Sequence, residues 1–144
     1  MSTIGYAILV DLGNIKVFAV NKSEQNSTSL QAYQSTENTE IRTKISELYS
    51  DKAGDYSNSV TGANSSYENK SDLEIKHRSI ELISGFINEF ADKHEEKIYL
   101  AISDPIHSKV EAKLTATTKS KISKSLAKNL TQQNVDNVIK AFEF

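Results

Sequence analysis

The sequence predicts a single layered α/β domain with a mixed sheet, and three observations predict it. The opening stretch, Tyr6 to Val20, holds two β-rich runs hinged at Asp11-Leu12-Gly13-Asn14. Apolar residues between Ile75 and Phe90 then recur at helical spacing. A short apolar run, Ile98 to Ile102, follows that helix and reads as a buried strand reached by a parallel crossover. Strand and helix that alternate in this way must share one core, with helices laid over a sheet.

Taken in order, Ile4 to Asp11 is apolar nearly throughout, which suits a strand covered on both faces, while Ile15 to Val20 is shorter and β-branched. Gly13 and Asn14 tolerate positive φ, so a tight hairpin is the natural connection. Leu30 to Gln34 alternates well enough for a third strand and completes a meander. Between Ser50 and Ser71 the chain turns to Ser, Asn, Gly, Asp and Tyr, with Val60 its only aliphatic residue larger than Ala, and this predicts a long mobile loop. Ser71-Asp-Leu-Glu74 has a capping-box pattern and opens the central helix, which runs to about Ala91. Asp104-Pro105 pairs an N-cap with proline at the first helical position of a second helix, continued by Ile106, Val110 and Leu114. Residues 121–130 fit a strand, and also spacing by four; the strand is chosen. Thr131 caps a last helix, Gln132 to Phe142. The predicted order is β-β-β-α-β-α-β-α, with three helices.

Composition narrows the function. The chain has 144 residues, the size of one domain, and a net charge of −2 with 25% charged residues, so no global basic field draws nucleic acid or an anionic membrane. Cysteine is absent, which excludes thiolate nucleophiles, thiolate metal sites and any disulfide-linked partner. The start has no basic segment leading into an apolar one, and no apolar run approaches the roughly 20 residues that span a bilayer. The expectation is a cytoplasmic protein with no membrane partner.

Chemistry-bearing patterns are few. Asp11 ends the first strand beside Gly13, as a metal-binding carboxylate does in ribonuclease-H-like nucleases and actin-like ATPases. Two-metal phosphoryl chemistry needs several convergent acids, however, and Asp51, Asp55, Glu74 and Asp104 lie in the loop or near helix ends. The plainer reading of Asp11 is a turn residue bonded to nearby amides. His77, His94 and His107 lack metal-ligand spacing, no nucleophile elbow is present, and no glycine-rich phosphate loop occurs; neither a metal nor a cofactor is expected. The charge is uneven in one place. Lys109, Lys113, Lys119, Lys121, Lys124 and Lys128 face a single acid, Glu111, giving residues 109–128 a net charge of +5. Such a segment suits contact with phosphates, or a solvated face with edge-protecting lysines. In a strand over 121–130, Lys124 and Lys128 would share a face with Ile122 and Leu126. No aromatic residues interleave the lysines, so base stacking is not indicated.

The hairpin Ile8-Leu-Val-Asp-Leu-Gly-Asn-Ile-Lys-Val-Phe18, the stretch Ser50-Asp-Lys-Ala-Gly54, the helix through Phe90 and the tail Lys128-Asn-Leu-Thr-Gln132 together resemble the bacterial host-attachment protein family over nearly the whole chain. That family is in turn similar to the middle domain of archaeal and eukaryotic peptide-chain release factors, a ribonuclease-H-like arrangement in which a long loop carries Gly-Gly-Gln to the peptidyl-tRNA ester. Gly54 to Gly62 here contains no Gln and no paired glycines, so ester hydrolysis is not carried over. The family's loop pattern Asp-Arg-x-Gly-Arg stands here as Asp51-Lys52-Ala53-Gly54-Asp55, with an acid replacing the last basic residue. The resemblance implies a non-catalytic module that contacts the ribosome or tRNA through Lys52, Gly54, Lys113, Lys121, Lys124 and Lys128. Two other readings stand beside it: a metal-dependent nuclease centred on Asp11, and a protein-interaction module, self-associating or used in host contact.

Overall fold

The computed structural model describes residues 2–11, 13–33, 35, 38–48 and 65–144. Its strands are β1 (Ser2–Val10), β2 (Ile15–Lys22), β3 (Thr28–Ala32), β4 (Lys97–Ile102) and β5 (Ile122–Leu126). Its helices are α1 over 38–48, α2 (Ser65–Lys93), α3 (Asp104–Ala112), α4 (Ala116–Lys121) and α5 (Val135–Phe142). The five strands form one mixed sheet in the order β3-β2-β1-β4-β5. β2 runs antiparallel to both neighbours, while β1, β4 and β5 are parallel.

The near-continuous apolar run of β1 is explained by its place at the centre of this sheet. Ile8 and Val10 face one side with Leu100 and Ile102, beneath Ile80, Ile83 and Ile87 of α2, Ile41 and Ile45 of α1, and Ile106 and Val110 of α3. Ala7 and Leu9 face the other side with Val20, Tyr99 and Ala101, beneath Val138 and Phe142 of α5. A strand whose alternate residues are dry on both faces needs a layer on each. Three helices supply the first and the C-terminal helix the second.

Several expectations are corrected. There are five helices among the described residues, not three, and the order is β-β-β-α-α-β-α-α-β-α. α1 was not anticipated; it turns Ile41 and Ile45, one helical turn apart, into the core, and its first turn is capped by Ser35, whose Oγ accepts from the Asn38 N–H at 3.1 Å. α2 begins at Ser65, inside the stretch read as loop: residues 65–74 contain neither Gly nor Pro, so nothing stops the helix from running upstream of the capping-box pattern. The remainder of that stretch, 50–64, lies outside the described residues. α3 is preceded by Ser103 as its N-cap residue, with Asp104 inside the first turn.

The β1–β2 hairpin closes without positive φ at Gly13 or Asn14, through the Asp11 N–H donating to the Asn14 carbonyl at 2.9 Å. Left-handed backbone appears instead at Asn26 in the β2–β3 turn and at Glu143 after α5. Strand β5 is shorter than 121–130 and carries a register shift: Ile98 pairs with Ile122, but Tyr99 pairs with Lys124. Ser123 is the extra residue. It sends Ile122 to the α2 side of the sheet and Leu126 to the α5 side, so the shared face expected for Ile122, Lys124 and Leu126 does not exist.

At Gly5 β1 runs close against β4: a Cβ there would stand 2.5 Å from the Lys97 carbonyl oxygen and 2.9 Å from the Tyr99 ring. Exposed Gly85, in mid-α2, has nothing within 4 Å of such a Cβ. Gly5→Ala is therefore expected to lower the urea midpoint, at a cost of about 1–3 kcal/mol. Gly85→Ala is expected to raise it, by about 0.5–1 kcal/mol. On the α2 side of the sheet, Tyr6, Tyr33, Phe90 and His94 pack ring against ring at 4.0–5.9 Å. Burial, then the charge of Glu96, then Tyr33, raise the Tyr6 phenol above its usual pKa of 10.0. A raised folded pKa contributes stability that is complete below pH 10 and is lost as pH climbs through the folded value. Thermal melts should fall less steeply above pH 10 in Tyr6→Phe than in the parent protein.

Candidate functional site

The residues singled out from the sequence fall into two places. Asp11 stands at the carboxyl end of β1, next to the carboxyl end of β4, where the Ser103 N–H donates to the Val10 carbonyl at 3.0 Å. Its carboxylate is well occupied. Oδ1 accepts from the Gly13 N–H at 2.8 Å, and Oδ2 accepts from the Thr131 hydroxyl at 2.7 Å and from Asn129 Nδ2 at 3.4 Å. The Thr131 hydroxyl also lies 2.7 Å from Asn129 Oδ1, and Lys16 donates to the Thr131 carbonyl at 2.6 Å. This arrangement bolts the first hairpin to the 129–131 turn, 120 residues away. It also explains a further correction. Thr131, committed to Asp11, is not the cap of the last helix; Asn134 is, accepting from the Asn137 N–H, and α5 starts at Val135.

Of the acids that might join Asp11, Asp104 is exposed at the start of α3, Glu74 is exposed on α2, and Asp51 and Asp55 lie outside the described residues. Among the described residues no three His, Cys, Asp or Glu side chains are grouped to hold a metal ion. His94 is held between the Phe90 carbonyl at 2.9 Å and the Tyr33 hydroxyl at 3.2 Å. His107 meets Ser125 Oγ at 2.8 Å and Glu111 Oε1 at 3.0 Å, both through Nε2. A nucleophilic triad needs the serine on one ring nitrogen and the orienting acid on the other. With both on one nitrogen, the cluster ties β5 to α3 without arming Ser125.

The second place is the lysine-rich stretch, and its members divide. Lys121 donates from Nζ to the Ala91 carbonyl and, at 3.0 Å, to the His94 carbonyl. Its ammonium thus sits on the C-terminal carbonyls of α2, where orphan acceptors and the negative end of the helix dipole favour a cation. Lys124 does the same for α5, donating to the Phe142 carbonyl and reaching Glu143 at 3.3 Å. Lys109, Lys113, Lys119 and Lys128 are exposed. The turn that carries Lys113 is clamped by Asn88 of α2, whose amide donates to the Lys113 carbonyl at 3.2 Å and accepts from the Thr115 N–H and the Thr118 hydroxyl at 3.0 and 2.8 Å. Lys52 and Gly54 lie outside the described residues. Sequence reasoning missed Asn88, and only its position on the α2 face toward α3 gives it away.

The division predicts a difference in stability. Lys121→Met and Lys124→Met each leave helix-terminal carbonyls unanswered and are expected to cost about 1–2 kcal/mol in urea unfolding. Lys113→Met and Lys128→Met, on exposed ammoniums, should stay within about 0.5 kcal/mol of the parent.

Among the described residues no helix is long and apolar enough to cross a membrane. Searches of curated proteins and of solved structures returned no match. A family model described as a protein required for attachment to host cells matches residues 7–141, nearly the whole chain, from within β1 to within α5. The chain belongs to this host-attachment family.

Proposed function

We propose that this member of the host-attachment family is a non-catalytic binding module of the ribonuclease-H-like, release-factor-middle-domain-like kind, and that it contacts a polyanion, the ribosome or tRNA, in the cytoplasm. The observation that carries the reading is the set of exposed cations Lys109, Lys113, Lys119 and Lys128 along α3, α4 and the turn after β5. The stretch holds one acid, Glu111, 3.0 Å from His107, so four exposed cations face a single carboxylate. Support for the fold kinship comes from the strand order β3-β2-β1-β4-β5 with β2 alone reversed. Lys121 and Lys124, by contrast, hold helix ends together and serve this surface only indirectly. Lys52 and Gly54 remain candidates for the same contact.

Without aromatic residues among them, the lysines recognise phosphates and not bases, so binding should be insensitive to sequence and sensitive to salt. Four phosphate contacts on single-stranded or folded RNA predict a log–log salt slope near −3, and roughly a 50-fold loss of affinity between about 50 and 200 mM salt. Fluorescence titration of labelled tRNA, with co-sedimentation on ribosomal particles, measures this. Lys113→Glu combined with Lys128→Glu should weaken binding at least about tenfold and flatten the slope. Absence of association at low salt, or binding indifferent to that pair of changes, would reject the reading.

A further inference from the structure

The helical layer that bears the lysines also carries the complementary charge. Between α1 and α2 lies a groove of about 180 Å³ whose floor is Ile41, Leu82, Gly85 and Phe86. Three carboxylates, Glu40, Glu81 and Glu89, rim it against a single ammonium, Lys44. None of the three forms an ion pair among the described residues. Glu81, Gly85 and Glu89 follow one another at i, i+4 and i+8, so two acids about 12 Å apart bracket a position with no side chain. Nothing lies within 4 Å of where a Cβ at Gly85 would be, so the centre of the groove is open to close approach.

On the same layer, beyond α2, Lys109 of α3 and Lys113, the residue that ends it, stand four apart and exposed, followed by Lys119 on α4. Lysine stems are apolar and their heads charged, the combination that fits an apolar floor with an acidic rim. Among the described residues none of these lysines pairs with Glu81 or Glu89 of its own chain. A second molecule can bring its lysines to that rim.

We infer that the α1–α2 groove is the docking site for the lysine-bearing α3–α4 face of a second copy of this chain. The contact is heterologous: each copy offers one groove and one lysine face, and further copies add head to tail. Its charges lie at the rim of the contact, so salt weakens it. It goes beyond the proposed polyanion contact and does not depend on it, because the groove takes no part in that contact.

Sedimentation equilibrium of the full chain, without nucleic acid, provides the test. At about 20 mM salt the mean mass should rise with concentration above the monomer value, and at about 300 mM it should return toward it. Glu81→Gln with Glu89→Gln should raise the dissociation constant at least about tenfold, and so should Lys109→Gln with Lys113→Gln. The first variant keeps its lysines and the second keeps its groove. Mixed in equal amounts, they should form a one-to-one pair that grows no further. At concentrations where the parent is monomeric, the groove variant should bind tRNA as the parent does, which separates this contact from the polyanion reading. A parent protein that stays monomeric at about 0.2 mM and low salt overturns the inference. So does a groove variant that associates like the parent, or a mixture of the two variants that remains monomeric.

Discussion

The constraint on which the structure depends is that β1 is dry on both faces. Ala7, Ile8, Leu9 and Val10 are buried together, and on a pleated strand they point alternately up and down. A sheet with such a centre cannot leave either side to water. α1, α2 and α3 together answer the demand on one side, but a single helix of eight residues, α5, answers it on the other. An isolated helix that short does not persist in water, so its position has to be imposed from outside.

Much of the polar chemistry of the chain is spent on imposing it. The Asp11–Thr131 bond anchors the turn that leads into α5, the Asn134 side chain caps its start, and Lys124 reaches its last carbonyls from β5. Glu143 takes the left-handed conformation and brings the Phe144 N–H back to the Ile139 carbonyl, while the Phe144 ring lies 4.7 Å from Tyr99. The two bonds, from Phe144 to Ile139 and from Glu143 to Lys140, are the Schellman ending, built on an acid where glycine is commoner. Residues that looked from the sequence like turn, cap or surface charge thus form one system that closes the second face of the sheet. Asp11 belongs to that system first. Its carboxylate is held by three donors, and its geometry is fully accounted for by the anchoring of a distant turn.

What was legible in the sequence follows the same division between local and distant causes. β1, β2 and β4 could be read because burial on both faces leaves an uninterrupted apolar record, and the C-terminal half of α2 because Ile83, Phe86, Ile87 and Phe90 repeat at the period of the helix. α1 was overlooked, although Ser35 as its cap and Ile41 and Ile45 one turn apart were there to find; its exposed faces are so rich in Thr, Glu and Lys that only two buried positions mark it. α4, at six residues, is too short to display a period at all. The bulge at Ser123 could not be read, since it depends on how β5 meets β4, and it reverses the face assigned to Lys124. The roles of Lys121 and Lys124 were equally hidden: each caps a helix 18 to 30 residues away, and no spacing along the chain records that. A run of six lysines therefore looked uniform in sequence, and only the fold separates the two that hold it together from the four that face solvent.

That separation bears on how the two proposed contacts relate. Both draw on Lys109 and Lys113, one to meet phosphates and the other to meet Glu81 and Glu89 of a neighbouring copy, and an ammonium that has shed water to meet one carboxylate is not free for a phosphate. Two ligands that need the same groups exclude each other, and the exclusion is reciprocal: each must lower the apparent affinity of the other in proportion to its own occupancy. A polyanion has the advantage in charge density and gains further by releasing its counterions, whereas head-to-tail copies gain only where concentration is high. The lysine face then has two states set by what surrounds it, joined to its own kind when phosphate partners are scarce and dispersed along them when they are abundant. Lys121 and Lys124, bonded to carbonyls at helix ends, would be common to both states, which is the physical reason a fold would keep them out of either contact.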